Sequence, residues 1–198
     1  MRNKPWDARL AAWLVTPFAS STAVQPNHFT SLRLLIGVMG CWLFAFSDHI
    51  NTAAFMIALS NFIDHMDGEL ARIGEKATRF GHLFDLVSDG IVTILLFVSI
   101  GYGLSSSVQM SNLLGGMLAG FSVAFIFHLR YLIEDTIGKV GTKQPSLAGL
   151  EAEDVLYLLP IVTMCEGLQL FLYAATIGAP VGAIIVYKQY RSVVGGSW

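Results

Sequence analysis

Charged residues are scarce in this sequence: Asp, Glu, Lys and Arg supply 13% of its 198 residues, while 54% are hydrophobic. Soluble domains carry about 25% charged residues, so the expected solvent is a bilayer rather than water. A basic excess is also missing, with a formal net charge of -2. This argues against a nucleic-acid partner, because neutralising phosphates demands a cationic surface. There are only two cysteines, Cys41 and Cys165, each inside an apolar run and without Cys-x-x-Cys or Cys/His ligand spacing. That excludes a thiolate metal centre and leaves both as small buried side chains. No internal repeat, low-complexity tract or linker interrupts the chain, so residues 1–198 are expected to form a single membrane domain.

Long apolar runs are what the sequence has in abundance. Crossing a hydrocarbon core takes about 20 residues of helix. Six segments approach that length: Phe29 to Ser47, Thr52 to Ile73, Phe80 to Leu104, Met110 to Ile137, Glu153 to Cys165 and Leu168 to Tyr187. The expected fold class is all-α integral membrane, with six transmembrane helices over about residues 29–190 and an N-terminal interfacial amphipathic helix over about residues 5–20. In that first helix Trp6, Leu10, Trp13, Leu14 and Phe18 recur at helical spacing, and Pro17 with the polar stretch after it separates them from the first span. All twelve Lys and Arg fall on one side of this arrangement, and the loops near Asp48, Ser106 and Glu166 contain none. By the positive-inside rule both termini and the loops after the second and fourth spans face the cytoplasm, with a bacterial inner membrane as the expected host.

Against this background four aspartates stand between two apolar stretches. Asp64 and Asp67 are three residues apart on the second span, and Asp85 and Asp89 four apart on the third, so each pair shares a helical face. The short loop from about Gly74 to Arg79 makes the two spans antiparallel neighbours and brings the pairs together. Clustered carboxylates in a low dielectric share protons or enclose metal, a requirement met by a catalytic metal site and by a transport site alike. All-oxygen ligands suit Mg²⁺ or Mn²⁺ better than zinc. Two such ions can clamp a pyrophosphate and both oxygens of an in-line displacement. Gly68, Ala71 and Gly81 strip bulk from the helix surfaces beside the carboxylates, Arg72 offers a planar fork for phosphate oxygens, and Thr78 offers a hydroxyl. Close helix packing is the competing use of the small residues.

The spacing Asp-x2-Asp-Gly-x2-Ala-Arg-x8-Gly-x3-Asp-x3-Asp, filled by Asp64, Asp67, Gly68, Ala71, Arg72, Gly81, Asp85 and Asp89, resembles the signature of the CDP-alcohol phosphotransferases, also called CDP-alcohol phosphatidyltransferases. "PNHFTSLR", Pro26 to Arg33, is similar to that family's Pro-Asn-x-x-Thr-x-x-Arg lead-in to the first membrane helix. The resemblance implies a homodimeric transferase of phospholipid biosynthesis that moves a substituted phosphate from a CDP-linked donor to an alcohol and releases CMP. It implies two Mg²⁺ or Mn²⁺ ions per active site, the first held by Asp64, Asp67 and Asp85 and the second by Asp64, Asp85 and Asp89. Asp89 would also be the general base. Asn27, Thr30, Gly68, Arg72 and Thr78 would contact the CDP part of the donor, and Ala71 and Gly81 would give it space.

A site at membrane depth favours CDP-diacylglycerol as donor and a small hydroxyl compound as acceptor. The family also contains the converse, in which phosphocholine or phosphoethanolamine passes from a CDP-alcohol to diacylglycerol. A divalent-cation or proton-coupled transporter is the rival of a different class, and it requires polar groups continuing toward the opposite membrane face. Arg130, Lys188 and Arg191 are candidates for holding an acceptor phosphate, with the positive-inside bias as their other explanation. His65 points about 100° away from its neighbouring aspartates on a helix, which suits a packing or headgroup role. Gly116 to Gly120 and Gly178 to Gly182 have the small-x-x-x-small spacing of close helix contacts, internal or at a dimer seam.

Overall fold

A computed structural model describes residues 6–105, 110–137 and 154–195. Arg2, Lys4, Lys139 and Lys143, which contribute to the one-sided charge pattern, lie outside the described residues. The described chain is all helical: α1 (Trp6–Val15), a 3₁₀ turn at Thr16–Phe18, α2 (Pro26–Phe46), α3 (Ile50–Ile73), α4 (Arg79–Gly103), α5 (Met110–Ile137), α6 (Asp154–Tyr157), α7 (Leu159–Met164) and α8 (Leu168–Gly195). Local chemistry sets the starts that matter for the site. Gln25 and His28 form a reciprocal capping box with Pro26 just inside α2, where a fixed φ suits the first helical turn and a missing N–H costs nothing. At the start of α4 the Thr78 hydroxyl accepts from the Gly81 N–H at 2.9 Å, satisfying one of the orphan donors of that end. Between α3 and α4 the chain reverses through Glu75, at a left-handed φ of 52°.

Among the described residues four helices, α2, α4, α5 and α8, are long and apolar enough to cross a membrane, the composition of a multi-pass membrane protein. Helix α3 has 24 residues but carries Asp64, Asp67, Glu69 and Arg72 in its second half. The segment expected as a fifth span, Glu153 to Cys165, holds two short helices of 4 and 6 described residues. Pro160, in the first turn of α7, has no N–H to carry a ladder over from α6.

Helix α2 packs on α3 and α4, α5 packs on α4 and α8, and α1 and α7 lie on α3. The main core joins Cys41 and Phe44 of α2, Ile57 of α3, Leu96 and Ile100 of α4, Leu159 of α7 and Leu172 of α8. A smaller cluster of Leu129, Ile133 and Val186 ties α5 to α8. Cys41 is buried as expected, but Cys165 is exposed. The expectation for Cys165 is corrected because it caps α7 where the chain turns through Glu166 at φ 55°, rather than sitting within a packed helix.

Glycines set two of the close approaches. A Cβ on Gly37 would stand 3.0 Å from Ser60 Oγ and from the Val92 methyls, so α2 is pressed against α3 and α4 one turn beyond Arg33. A Cβ on Gly116 would overlap the Phe97 carbonyl oxygen, and one on Gly120 would lie 3.1 Å from Ile94 Cα. The Gly116 to Gly120 pair is therefore an internal α4–α5 contact. Gly178 faces open space, whereas a Cβ on Gly182 would be in ordinary contact with Ile126 at 3.4 Å.

Candidate active site

The four aspartates of α3 and α4 converge on one side chain, Arg33 of α2. Its Nε lies 2.9 Å from Asp64 Oδ1 and 3.9 Å from Asp67 Oδ2. Nη2 donates to Asp85 Oδ1 at 2.9 Å and to the Asp85 carbonyl at 3.0 Å, and Nη1 donates to Asp89 Oδ1 at 2.8 Å. Arg33 is only 2% exposed. Its backbone is fixed as well, since its carbonyl accepts from Ser60 Oγ at 2.8 Å. Arg33 Nε and Asp64 Oδ1 are buried and close, yet neither has a directed hydrogen bond, so their contact is ionic without being aligned. Asp67 accepts from Thr30 Oγ1 at 2.6 Å in the buried interior.

Asp64, Asp67 and Asp85 each offer an oxygen within 4.8 Å of the others, close enough to hold a metal ion. A triad of oxygens, with Asp64 Oδ1 buried and unmatched by a hydrogen bond, fits a hard divalent cation. This triad is the set expected around a first ion. Asp89 stands outside it and reaches it across Arg33.

The expected donor contacts sort into two groups. Asn27, Thr78 and Gly81 meet at the α2–α4 entrance, where a Cβ on Gly81 would stand 2.9 Å from Asn27 Oδ1 and 3.0 Å from Thr78 Oγ1. Gly68 is exposed with open space where a Cβ would be, and Ala71 is half-buried one turn on. Three polar groups in the expected set already have partners. Thr30 serves Asp67, Thr78 caps α4, and Arg72 Nη1 donates to Glu69 Oε1 at 2.6 Å while its side chain remains 61% exposed.

A cavity of about 260 Å³ opens beside the carboxylates, between α3, α4 and α5. Its wall includes Asp64, Asp85 and Asp89 with Arg33 and His82, and from α5 Arg130, Tyr131 and Glu134. Of the three cations expected for an acceptor, Arg130 lines this cavity. Lys188 and Arg191 are exposed on α8 and do not line it. His82 rests on Tyr131 with ring centroids 5.2 Å apart, a link between α4 and α5 that agrees with the packing or headgroup role its sequence position suggests.

Three further arrangements escaped the sequence. The sequence marks Arg33 only as part of the lead-in to α2 and of the charge asymmetry. The signal available was an arginine three residues after Thr30 inside an apolar helix, where ionisable side chains serve function by default. His65, between two motif aspartates, turns away from them and places Nε2 3.0 Å from Asp7 Oδ2 of α1. Asp7 is 3% exposed, so α1 is fastened to the very turn of α3 that carries the carboxylates. Lys76 Nζ donates to the carbonyls of Phe18, Ser21 and Val24, bracing the segment that leads into α2. No spacing in the sequence announces either contact.

Comparison with known proteins gives the same direction. The chain is 28% identical over 105 residues to an archaetidylinositol phosphate synthase of Pyrococcus horikoshii, covering 52% of this chain and 55% of that protein. It is 28% identical over 116 residues to an archaetidylinositol phosphate synthase of Methanothermobacter thermautotrophicus, covering 59% and 56%. It is 25% identical over 148 residues to a bifunctional IPC transferase and DIPP synthase of Aquifex aeolicus, covering 66% and 33%. The chain thus spans about half the length of the synthases it matches, and less of the bifunctional protein. The family model for CDP-alcohol phosphatidyltransferase matches residues 23–188, from the lead-in to α2 into the last helix, and the chain belongs to that family.

Proposed function

We propose that the protein transfers a phosphatidyl-type group from a CDP-linked lipid, CDP-diacylglycerol in the first instance, to a small hydroxyl acceptor and releases CMP. The observation that carries this reading is the shared cavity: Asp64, Asp85 and Asp89 form one wall of it and Arg130 another. A nucleotide diphosphate at the carboxylates and an acceptor near Arg130 would face each other across that space. In the reaction the acceptor oxygen bonds to the phosphorus of the lipid phosphate. The bond from that phosphorus to the bridging oxygen breaks, and CMP leaves with the electron pair. Asp89 takes the proton of the attacking hydroxyl, a role open to a carboxylate that lines the cavity and stands outside the triad.

Asp64, Asp67 and Asp85 would hold one divalent ion, and Asp64, Asp85 and Asp89 a second, Mg²⁺ or Mn²⁺ by their oxygen ligands. Bound there, such ions supply Lewis-acid neutralisation of charge on the diphosphate. Asn27 and Thr78, with Gly81 between them, would border the donor's CDP part, beside Gly68, Ala71 and Arg72. Gly81→Ala tests this entrance, because its methyl must displace Asn27. The donor KM is expected to rise about tenfold, the equivalent of one or two hydrogen bonds, with kcat nearly unchanged. An unaltered donor KM would remove Asn27 from the donor site.

The names of the matched synthases contain an inositol phosphate, and Arg130 is a cation suited to an acceptor phosphate. The enzyme would work as a homodimer with six crossings, α3 and the α6–α7 segment included, and with its carboxylates toward the cytoplasm. Helix α1 would lie in the interface, since Trp6, Leu10 and Trp13 are 64%, 42% and 71% exposed while Ala11 and Val15 are buried on α3. The deciding experiment incubates purified protein with radiolabelled CDP-diacylglycerol, Mn²⁺ or Mg²⁺, and inositol phosphate, glycerol phosphate or unphosphorylated alcohols. CMP and a labelled phospholipid are expected with a phosphorylated acceptor. No CMP with any acceptor, or with CDP-choline and diacylglycerol, would return the carboxylates to a transport role.

A further inference from the structure

We propose that Arg33 is a tethered counter-cation of the carboxylate cluster, which neutralises the aspartates before divalent ions bind and gives up their oxygens as those ions load. The inference rests on the metal-centre reading above and concerns what competes for that centre. A guanidinium fork ordinarily pairs in bidentate fashion with one carboxylate. Here it is divided among several: 2.9 Å to Asp64, 2.9 Å to Asp85, 2.8 Å to Asp89 and 3.9 Å to Asp67. One positive charge against four carboxylates leaves the cluster short of cation. The unaligned contact between Nε and Asp64 Oδ1 shows the fork stretched past its hydrogen-bonding geometry.

Arg33 has little freedom to withdraw, so on loading it is the carboxylate oxygens that must turn from it toward the ions. It is 2% exposed, its carbonyl is held by Ser60, and Gly37 packs α2 tightly against α3 and α4 on the next turn. Carboxylate oxygens gathered around nitrogen at 2.8–2.9 Å stand farther from the charge than the roughly 2.0–2.1 Å that Mg²⁺ demands in its near-octahedral shell. The same oxygens therefore satisfy either the guanidinium or the metal. A fixed positive charge a few ångström away also repels an incoming dication with little solvent screening. Arg33 thus keeps the site assembled without metal and lowers its affinity for metal.

The test measures Mn²⁺ binding by loss of the free-ion electron paramagnetic resonance signal, in nucleotide-free purified protein, together with thermal unfolding in EDTA. Wild type is compared with Arg33→Met and Arg33→Lys. Arg33→Met is expected to bind Mn²⁺ roughly tenfold or more tighter than wild type, to unfold at lower temperature in EDTA, and to recover on adding Mn²⁺. Folding of Arg33→Met only in the presence of Mn²⁺ is the same result in its extreme form. Arg33→Lys keeps the charge but loses the fork, and its affinity should fall between the two. If wild type binds Mn²⁺ and Arg33→Lys binds it no more tightly, the competition does not exist, whether or not Arg33→Met folds, and the metal centre stands without it. If none of the three proteins binds Mn²⁺, the metal-centre reading falls and this inference falls with it.

Discussion

Asp89→Asn is expected to lower transfer between about a hundredfold and about ten-thousandfold, the range a positioned general base contributes, while leaving CDP-donor binding largely intact. The substitution keeps the size and shape of the side chain and removes its negative charge and its capacity to hold the acceptor's proton. Asp89 suits this separation because it lines the cavity with its side chain 33% exposed, whereas Asp64, Asp67 and Asp85 form the compact first-ion triad without it, and the Asn carbonyl oxygen would remain as a neutral ligand for the second ion. The same substitution at Asp67, 5% exposed and bonded to Thr30, would disturb the framework and binding together. Two measurements on the purified variant decide the matter: turnover at saturating substrates, and equilibrium binding of a CDP donor. Near-normal turnover would strip Asp89 of the base role. Loss of donor binding with the turnover would make it a binding group instead.

The carboxylate cluster was legible in the sequence because it depends on local rules. Residues three and four apart share a helix face, and a short loop forces antiparallel neighbours, so Asp64, Asp67, Asp85 and Asp89 could be brought together without knowing the fold. Helix limits were legible for a similar reason: α3 runs from Ile50 to Ile73 against an expected Thr52 to Ile73, and α4 from Arg79 to Gly103 against an expected Phe80 to Leu104. Contacts set by the direction of a long side chain across helices were not. Arg33 reaches four aspartates 31 to 56 positions away in the chain, and no periodicity on α2 indicates which neighbour it faces. Asp7 and His65 are each unremarkable on their own helices, and their pairing depends on how α1 settles on α3. Lys188 and Arg191 share a membrane side with Arg130 by charge pattern, yet both sit on α8, and no α8 residue lines the cavity. Charge asymmetry orients a chain in a bilayer. It carries no information about which helices border a given cavity.

Gly116→Ala and Gly178→Ala are expected to change stability in opposite directions, although the sequence presents the two glycines in the same small-x-x-x-small setting. In a helix interior Ala is favoured over Gly by about 0.5–1 kcal/mol. At Gly178, where nothing stands near the added methyl, that gain is unopposed and unfolding should occur at the same or a slightly higher temperature. At Gly116 the methyl would overlap the Phe97 carbonyl oxygen and lie 3.3 Å from Gly101 Cα. These are backbone atoms that cannot rotate aside, so α4 and α5 must separate. Overpacking of this kind costs about 1–3 kcal/mol, and a domain of this size loses roughly 2–4 °C in unfolding midpoint per kcal/mol. The displacement also reaches the site, because α4 carries Asp85 and Asp89 while α5 carries Arg130, and all three line the cavity. Gly116→Ala should therefore also raise the acceptor KM, with the aspartates themselves untouched. Thermal unfolding in detergent and acceptor titration check both effects. Equal midpoints for the two variants would mean that α4 and α5 do not meet backbone to backbone at Gly116, and the spacing between the cavity's carboxylates and Arg130 would have to be drawn differently.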